Sequence, residues 1–228
     1  MDMEIEASYF WDHEYIFAGS TNKIYLLVQW SACMTPTTRR KSTPKLLARD
    51  VELYLWLEPY ILVGNIYGCE GMKRSQQQLL IVQLGHLYNG IRQSLVIECT
   101  LLSQTPGEKH VLSAQWRYKE GSRGRARQRS VEEIYIHYSY DLGRLRNSGD
   151  INVEKHIKLL KTPTVIKEAD KWFNLGEADH AEFILRRKGD ELLLFAIHSG
   201  DPKFIEEAET LYRLSKQYVD AYQGISLD

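Results

Sequence analysis

The 228-residue chain has little that would mark a chemistry. It holds three cysteines, Cys33, Cys69 and Cys99, with no CxxC spacing. That argues against a disulfide framework or a cysteine zinc site and for a reducing compartment. Its formal net charge is −1, so no overall field marks it as a nucleic-acid or membrane binder. No apolar run approaches the roughly 18 residues of a membrane span. The opening MDMEIEAS is acidic and polar, unlike a secretory signal. HExxH spacing, sustained heptads and low-complexity tracts are all missing. A cytoplasmic protein with no cofactor, no metal and no membrane partner is the expectation.

What is there suits a globular protein: 43% hydrophobic and 26% charged residues. The length allows one large domain or two small ones. The first two-thirds is rich in strand signals. Tyr9-Phe10-Trp11 and the run Ile24 to Trp30 flank the turn Ala18 to Asn22. Cys33 to Lys45, rich in Thr, Ser, Pro and Arg, has no apolar periodicity and reads as a loop. From Val51 to Leu57, leucine and valine alternate with Glu52, Tyr54 and Trp56, so one face is core. Further strands are expected over Tyr60 to Tyr67, Gln78 to Leu84, Gln93 to Leu102, Val111 to Tyr118 and Val131 to Tyr140. Strands at this spacing, without intervening helices, predict an antiparallel sandwich.

The last third changes period. Ile157, Leu160, Ile166, Ala169 and Phe173 recur at helical spacings, with Pro163 implying a kink or break. A second helix is expected over Ala178 to Ile197, stopped by His198-Ser199-Gly200. Asp201-Pro202 is a start signal for a third, running to about Tyr222. The fold expected is therefore α+β: residues 1–150 as an antiparallel β-sandwich, and 151–228 as a three-helix bundle. The second helix carries Phe183, Ile184, Leu192, Leu193, Leu194, Phe195 and Ile197, which predicts burial on several faces.

Several segments, taken in order, resemble the parts of bacterial von Willebrand factor A (VWA) domain proteins that flank the VWA domain. The opening strand with Trp11-Asp12, the turn at Gly19 and Tyr25-Leu26-Leu27-Val28 are similar to the family's start. Val82 to Gly90 resembles a V-x-L-G-x-L-x-x-G hairpin, followed by the strand Ala114-Gln115-Trp116-Arg117-Tyr118. Ala169, Leu175-Gly176-Glu177 and Ala181 stand where the family has a helix–turn–helix. The resemblance implies a sandwich with a helical tail, in which the loop 33–49 stands where a VWA domain would be inserted. The D-x-S-x-S of the VWA metal site does not occur, so metal-dependent binding is not implied.

The individual candidates weigh lightly. Trp11-Asp12-His13-Glu14 is a string of reactive types, but strand neighbours point to opposite faces. Asp179, His180 and Glu182 read as first-turn polar residues rather than metal ligands. Cys69 would need His86, His110 or His137 beside it to act as a nucleophile. The Arg-rich hairpin 117–129, with Arg123, Arg125, Arg127 and Arg129, could meet phosphates, but reads first as a long solvated hairpin between two strands. Outward aromatics, Tyr54 and Trp56 among them, suggest a protein-binding or self-association surface. The reading preferred is a non-enzymatic interaction or scaffolding module, and the alternative is a nucleic-acid-associated protein.

Overall fold

The structure, a computed structural model, describes residues 3–34, 45–75, 78–121 and 124–225. Eleven strands come first: β1 (Met3–Trp11), β2 (Tyr15–Phe17), β3 (Asn22–Met34), β4 (Leu46–Leu57), β5 (Ile61–Tyr67), β6 (Gly71–Ser75), β7 (Leu79–Tyr88), β8 (Arg92–Leu101), β9 (Gly107–Glu120), β10 (Arg125–Gln128) and β11 (Glu132–Ser139). Helices α1 (Leu142–Arg146), α2 (Ile151–Asn174), α3 (Ala178–Ser199) and α4 (Lys203–Ile225) follow. The fold is α+β. The chain divides into two compact units, Met1–His156 and Ile157–Asp228.

In the first unit, a four-stranded sheet runs β1-β3-β8-β5 and a larger one β2-β11-β9-β4-β7-β6, with β10 pairing β9. The period of two explains the core. Ile24, Leu26, Val28 and Trp30 of β3 are buried in the same cluster as Leu53 and Leu55 of β4 and Ala114 and Trp116 of β9. Trp30 and Trp116 meet at 5.5 Å between ring centroids. The indole of Trp116 donates to the Tyr9 hydroxyl at 2.9 Å, so its one polar atom is not stranded in the core.

Two sequence expectations change here, and a third, the hairpin, gains its register. The sheets are not wholly antiparallel, because the short β2 pairs parallel with β11. The loop 33–49 is shorter than it reads: β3 continues to Met34 and β4 begins at Leu46, while 35–44 lie outside the described residues. The Arg-rich segment folds back as β10 along β9, Arg127 opposite Tyr118.

The string Asp12 to Glu14 serves the backbone. Asp12 is buried, and its Oδ1 accepts from the Tyr25 amide at 2.9 Å. Burial pushes its pKa up, while the Tyr25 amide and His13 pull the other way. Its carbonyl accepts from the Asp150 amide, and His13 bridges Gly149. Asp150 then caps α2, its Oδ1 accepting from the Asn152 amide at 2.8 Å.

The second unit has its own core, with Ala169 from α2, Ala181, Leu185, Leu192 and Phe195 from α3, and Phe204, Ala208 and Leu211 from α4. Helix α2 runs through Pro163 without a break. One missing amide costs about 3 kcal/mol, and the remaining hydrogen bonds of a 24-residue helix, with Ala169 packed in the core, outweigh it. Gly200 ends α3 in the left-handed region at φ 66°, donating to the Ala196 carbonyl. Asp201 Oδ1 accepts from the Lys203 amide at 3.1 Å and opens α4. Burial of α3 on several faces is not found: Leu192 and Phe195 are buried, but Phe183, Leu194 and Ile197 are 59%, 69% and 82% exposed. The neighbouring helices cover one face of it.

Candidate interaction site

The outer face of the larger sheet gathers the first unit's polar and aromatic side chains. Strand β4 sends Leu53 and Leu55 inward and leaves Glu52, Tyr54 and Trp56 half-buried on the other side. The register sets their neighbours: Arg117 of β9 and Gln83 of β7 flank Glu52, Gln115 and Ile81 flank Tyr54, and Ser113 and Leu79 flank Trp56. Arg117 lies over the Tyr54 ring at 4.1 Å. Tyr54 in turn stacks on Trp56 at 6.2 Å and 30°. The Tyr54 hydroxyl donates to Glu52 at 3.0 Å, and burial, then Glu52, push its pKa up. A row of guanidinium, phenol and indole is thus fixed without disturbing the core.

Beyond Glu52 the face opens into a cavity of about 520 Å³ lined by Asp50, Glu52, Glu70, Gln83, Arg117 and Lys119, among others. A bulge in β4 makes it. The pairing with β9 skips between Arg49 and Glu52, and Asp50 takes φ 50°, a conformation that Asp tolerates better than most residues. Asp50 pairs with Lys119 at 2.9 Å, which holds its carboxyl below the usual range. Gly85, at φ 74°, leaves room for the Glu70 carboxylate, which a Cβ there would strike. The cavity carries both signs of charge. Among the described residues no cluster of three or more His, Cys, Asp or Glu could hold a metal ion.

Two arginines of the basic hairpin are paired. Arg127 pairs with Glu120 at 2.8 Å and Arg129 with Glu132 at 3.4 Å. Arg125 is exposed on β10, and Arg123 lies outside the described residues. Arg127 and Arg129 are therefore partly neutralised by neighbouring carboxylates.

Two of the three histidines considered beside Cys69, His110 and His137, have other partners. The Cys69 thiol is pushed up by burial, away from thiolate reactivity. His110 contacts Glu58 and Ser113, while His137 stacks on Tyr15 and faces Glu108. His180 lies edge-on to Trp172, and Glu182 pairs with Arg186. The sequence reading missed one chain of groups: Glu58 meets His110 Nδ1 at 2.9 Å, and His110 Nε2 meets the Ser113 hydroxyl at 3.1 Å. A bulge creates it. Against β11, Val111 is skipped, so Val111 and Leu112 are both buried and His110 reaches the face of Ser113. Two successive apolar residues in an alternating strand are the signal that could have shown this. The order of groups is that of a nucleophilic triad. Ser113 itself lies in a ladder on both sides, opposite Trp56 of β4 and Glu133 of β11.

No helix among the described residues is long and apolar enough to cross a membrane. No family model matches the chain, and no curated protein matches it. Solved structures do. The ArnB paralog VWA2 from Sulfolobus acidocaldarius is 9% identical with a TM-score of 0.53, over 94% of this chain and 98% of that one. A von Willebrand factor type A protein from Catenulispora acidiphila is 17% identical with a TM-score of 0.49, over 68% of this chain. The chain spans 37% of that protein's length. The collagen-binding domain of a Staphylococcus aureus adhesin is 10% identical with a TM-score of 0.35, over 57% of this chain and 96% of that one. At these identities the likeness to the Sulfolobus protein is one of fold.

Proposed function

We propose that this chain is a non-enzymatic protein-interaction module that binds a protein partner through the outer face of its larger sheet. The observation that carries the reading is the stack of Arg117 on Tyr54 on Trp56. Trp, Tyr and Arg are the types enriched at the energetic centres of interfaces. Here they are pre-ordered, so binding loses little side-chain freedom. The cavity beside them, with Asp50, Glu52 and Lys119, supplies a polar rim. Cys69 and Cys99 are unpaired thiols, in keeping with a reducing, cytoplasmic setting.

The reading includes the family resemblance. This chain corresponds to the non-VWA part of a bacterial VWA-domain protein, with the loop 33–49 at the place of the domain. The fold of the Sulfolobus protein supports the likeness to VWA-named proteins. Support also comes from the position of the loop, which connects β3 of one sheet to β4 of the other.

The test is site-specific photo-crosslinking in cells from a photoreactive residue at Trp56, with one at the exposed Leu62 as control. Adducts formed at Trp56 should be competed by excess unlabelled wild type but not by Tyr54→Ala/Arg117→Ala. Equal competition by the variant would remove the sheet face from the binding surface.

A further inference from the structure

Helix α3 carries a second surface, on the side away from its own core. Phe183, Arg187, Asp190, Leu194 and Ile197 follow 4-3-4-3 spacing, and at 3.6 residues per turn they form one seam. All five are exposed, opposite the buried Ala181, Leu185 and Leu192. The seam spans 14 residue steps, about 21 Å at the helical rise.

Its order reads the same in both directions. A two-fold axis crossing the helix between Lys188 and Gly189 sets position 183 opposite 194 and position 187 opposite 190. Phe183 then meets Leu194 of a second copy, and Arg187 meets the second copy's Asp190. Ile197 falls over the second copy's His180. Phe183 and Leu194 form the apolar contacts, and each cation meets an anion, twice over.

The groups are prepared for this. The Asp190 Oδ1 accepts from the Tyr212 hydroxyl of α4 at 2.6 Å, which fixes the carboxylate on an exposed residue. Among the described residues, the ion pairs of α3 are Arg186–Glu182, Lys188–Glu191 and Lys158–Glu191, and Arg187 takes part in none.

We propose that α3 is a homodimerisation helix, pairing antiparallel with α3 of a second copy through Phe183–Leu194 and Arg187–Asp190 contacts. A two-fold interface must be complementary to itself, and this seam is. The area of one helix pair is small for a permanent interface, so the dimer forms and dissociates with concentration. This surface is separate from the sheet face, and Tyr54, Trp56 and Arg117 stay intact in its test.

The experiment is sedimentation equilibrium of the full chain over a wide concentration range. The wild type is expected to shift from monomer to dimer. Arg187→Asp, which sets Asp against Asp, should weaken the dimer by about 10-fold or more, and Asp190→Arg likewise. The reversed pair Arg187→Asp/Asp190→Arg should recover most of the loss, with the helical circular dichroism unchanged throughout. Asp190→Arg also loses the Tyr212 hydrogen bond. Phe183→Ser therefore serves as a second probe, expected to weaken the dimer while leaving Asp190 in place. A monomer at every concentration overturns the proposal. So does a dimer that none of these changes weakens, or one that the reversed pair fails to restore.

Discussion

The two units sort their side chains to different degrees. In the β unit, β4 places Leu53 and Leu55 at 0% exposure and turns Tyr54 and Trp56 outward, where Arg117 covers the tyrosine ring. A strand has two faces and a period of two, so sorting is nearly automatic once one face is core. In the helical unit, α3 buries Lys188 at 6% exposure and leaves Ile197 at 82%. A helix in a three-helix bundle is covered over one arc only, so apolar residues on the rest stay wet unless a further body meets them. The comparison teaches where to look. In the β unit the informative residues are aromatic and ordered on the outside, and in the helical unit they are those on the wrong side.

The sharpest way to break the comparison is to truncate one residue of each kind. Trp116→Ala empties a 0% exposed site between the sheets and leaves the Tyr9 hydroxyl without its donor. It should cost about 3–5 kcal/mol. Ile197→Ala removes an apolar side chain that this chain does not cover, and should stay within about 0.5 kcal/mol at monomeric concentrations. Urea denaturation at low protein concentration measures both. A cost above about 2 kcal/mol for Ile197→Ala would mean that the residue is not on an open face.

A smaller effect tests how tightly the outer sheet face is specified. Gly85→Ala forces an L side chain into φ 74° and drives its Cβ into the Glu70 carboxylate. The left-handed conformation alone costs about 1–2 kcal/mol, and displacing Glu70 adds to it. Adding Glu70→Ala should recover the second part and not the first. If Gly85→Ala were neutral by denaturation, the wall of the cavity would be far softer than its geometry implies.

Much of this architecture is legible in the sequence, and the gaps have physical causes. Alternation from Val51 to Leu57 locates the core face and therefore the outward direction of Tyr54 and Trp56. Asp201-Pro202 and Gly200 mark the helix ends because caps are local chemistry. The stack of Arg117 on Tyr54 is not local, since it depends on a β4–β9 register between residues some 60 apart. Nor is the parallel pairing of β2 with β11, across more than 120 residues. The Glu58–His110–Ser113 chain escaped because an alternation argument assumes an unbroken period, and the bulge at Val111 breaks it. Asp12 looked reactive because its neighbours are His13 and Glu14, and its carboxylate does meet His13 at 3.3 Å, but it also accepts from the distant Tyr25 amide, a partner that a string of letters does not display. On α3 the residues were all visible, but a wet seam and a covered one have the same spelling.

The smallest expected effect concerns the buried cation of the helical unit. Lys188 is a charge inside the bundle, and burial pushes its pKa down more than Glu191 pulls it up. Its Nζ lies 3.0 Å from Glu191, which also holds Lys158 at 2.8 Å. Removing one partner of a buried pair is costly when the other is left alone. Here Glu191 keeps Lys158, so Lys188→Met leaves no carboxylate stranded and fills the site with apolar volume. The variant should lie within about 1 kcal/mol of the wild type at neutral pH, on the stabilised side. The pH dependence gives the sign. Because the folded-state pKa of Lys188 is lowered below 10.5, the unfolded chain binds the extra proton between the lowered value and 10.5. Wild-type stability therefore contains a cost that is fully present at neutral pH and is relieved as pH rises through that window. Lys188→Met lacks that cost, so its advantage should shrink as pH rises toward 10.5. Paired urea titrations of the two proteins at neutral and alkaline pH measure this. An advantage that grew with pH, or a loss above about 2 kcal/mol at neutrality, would mean that Lys188 is a favourable buried pair and that the helical unit is sorted as well as the sheets.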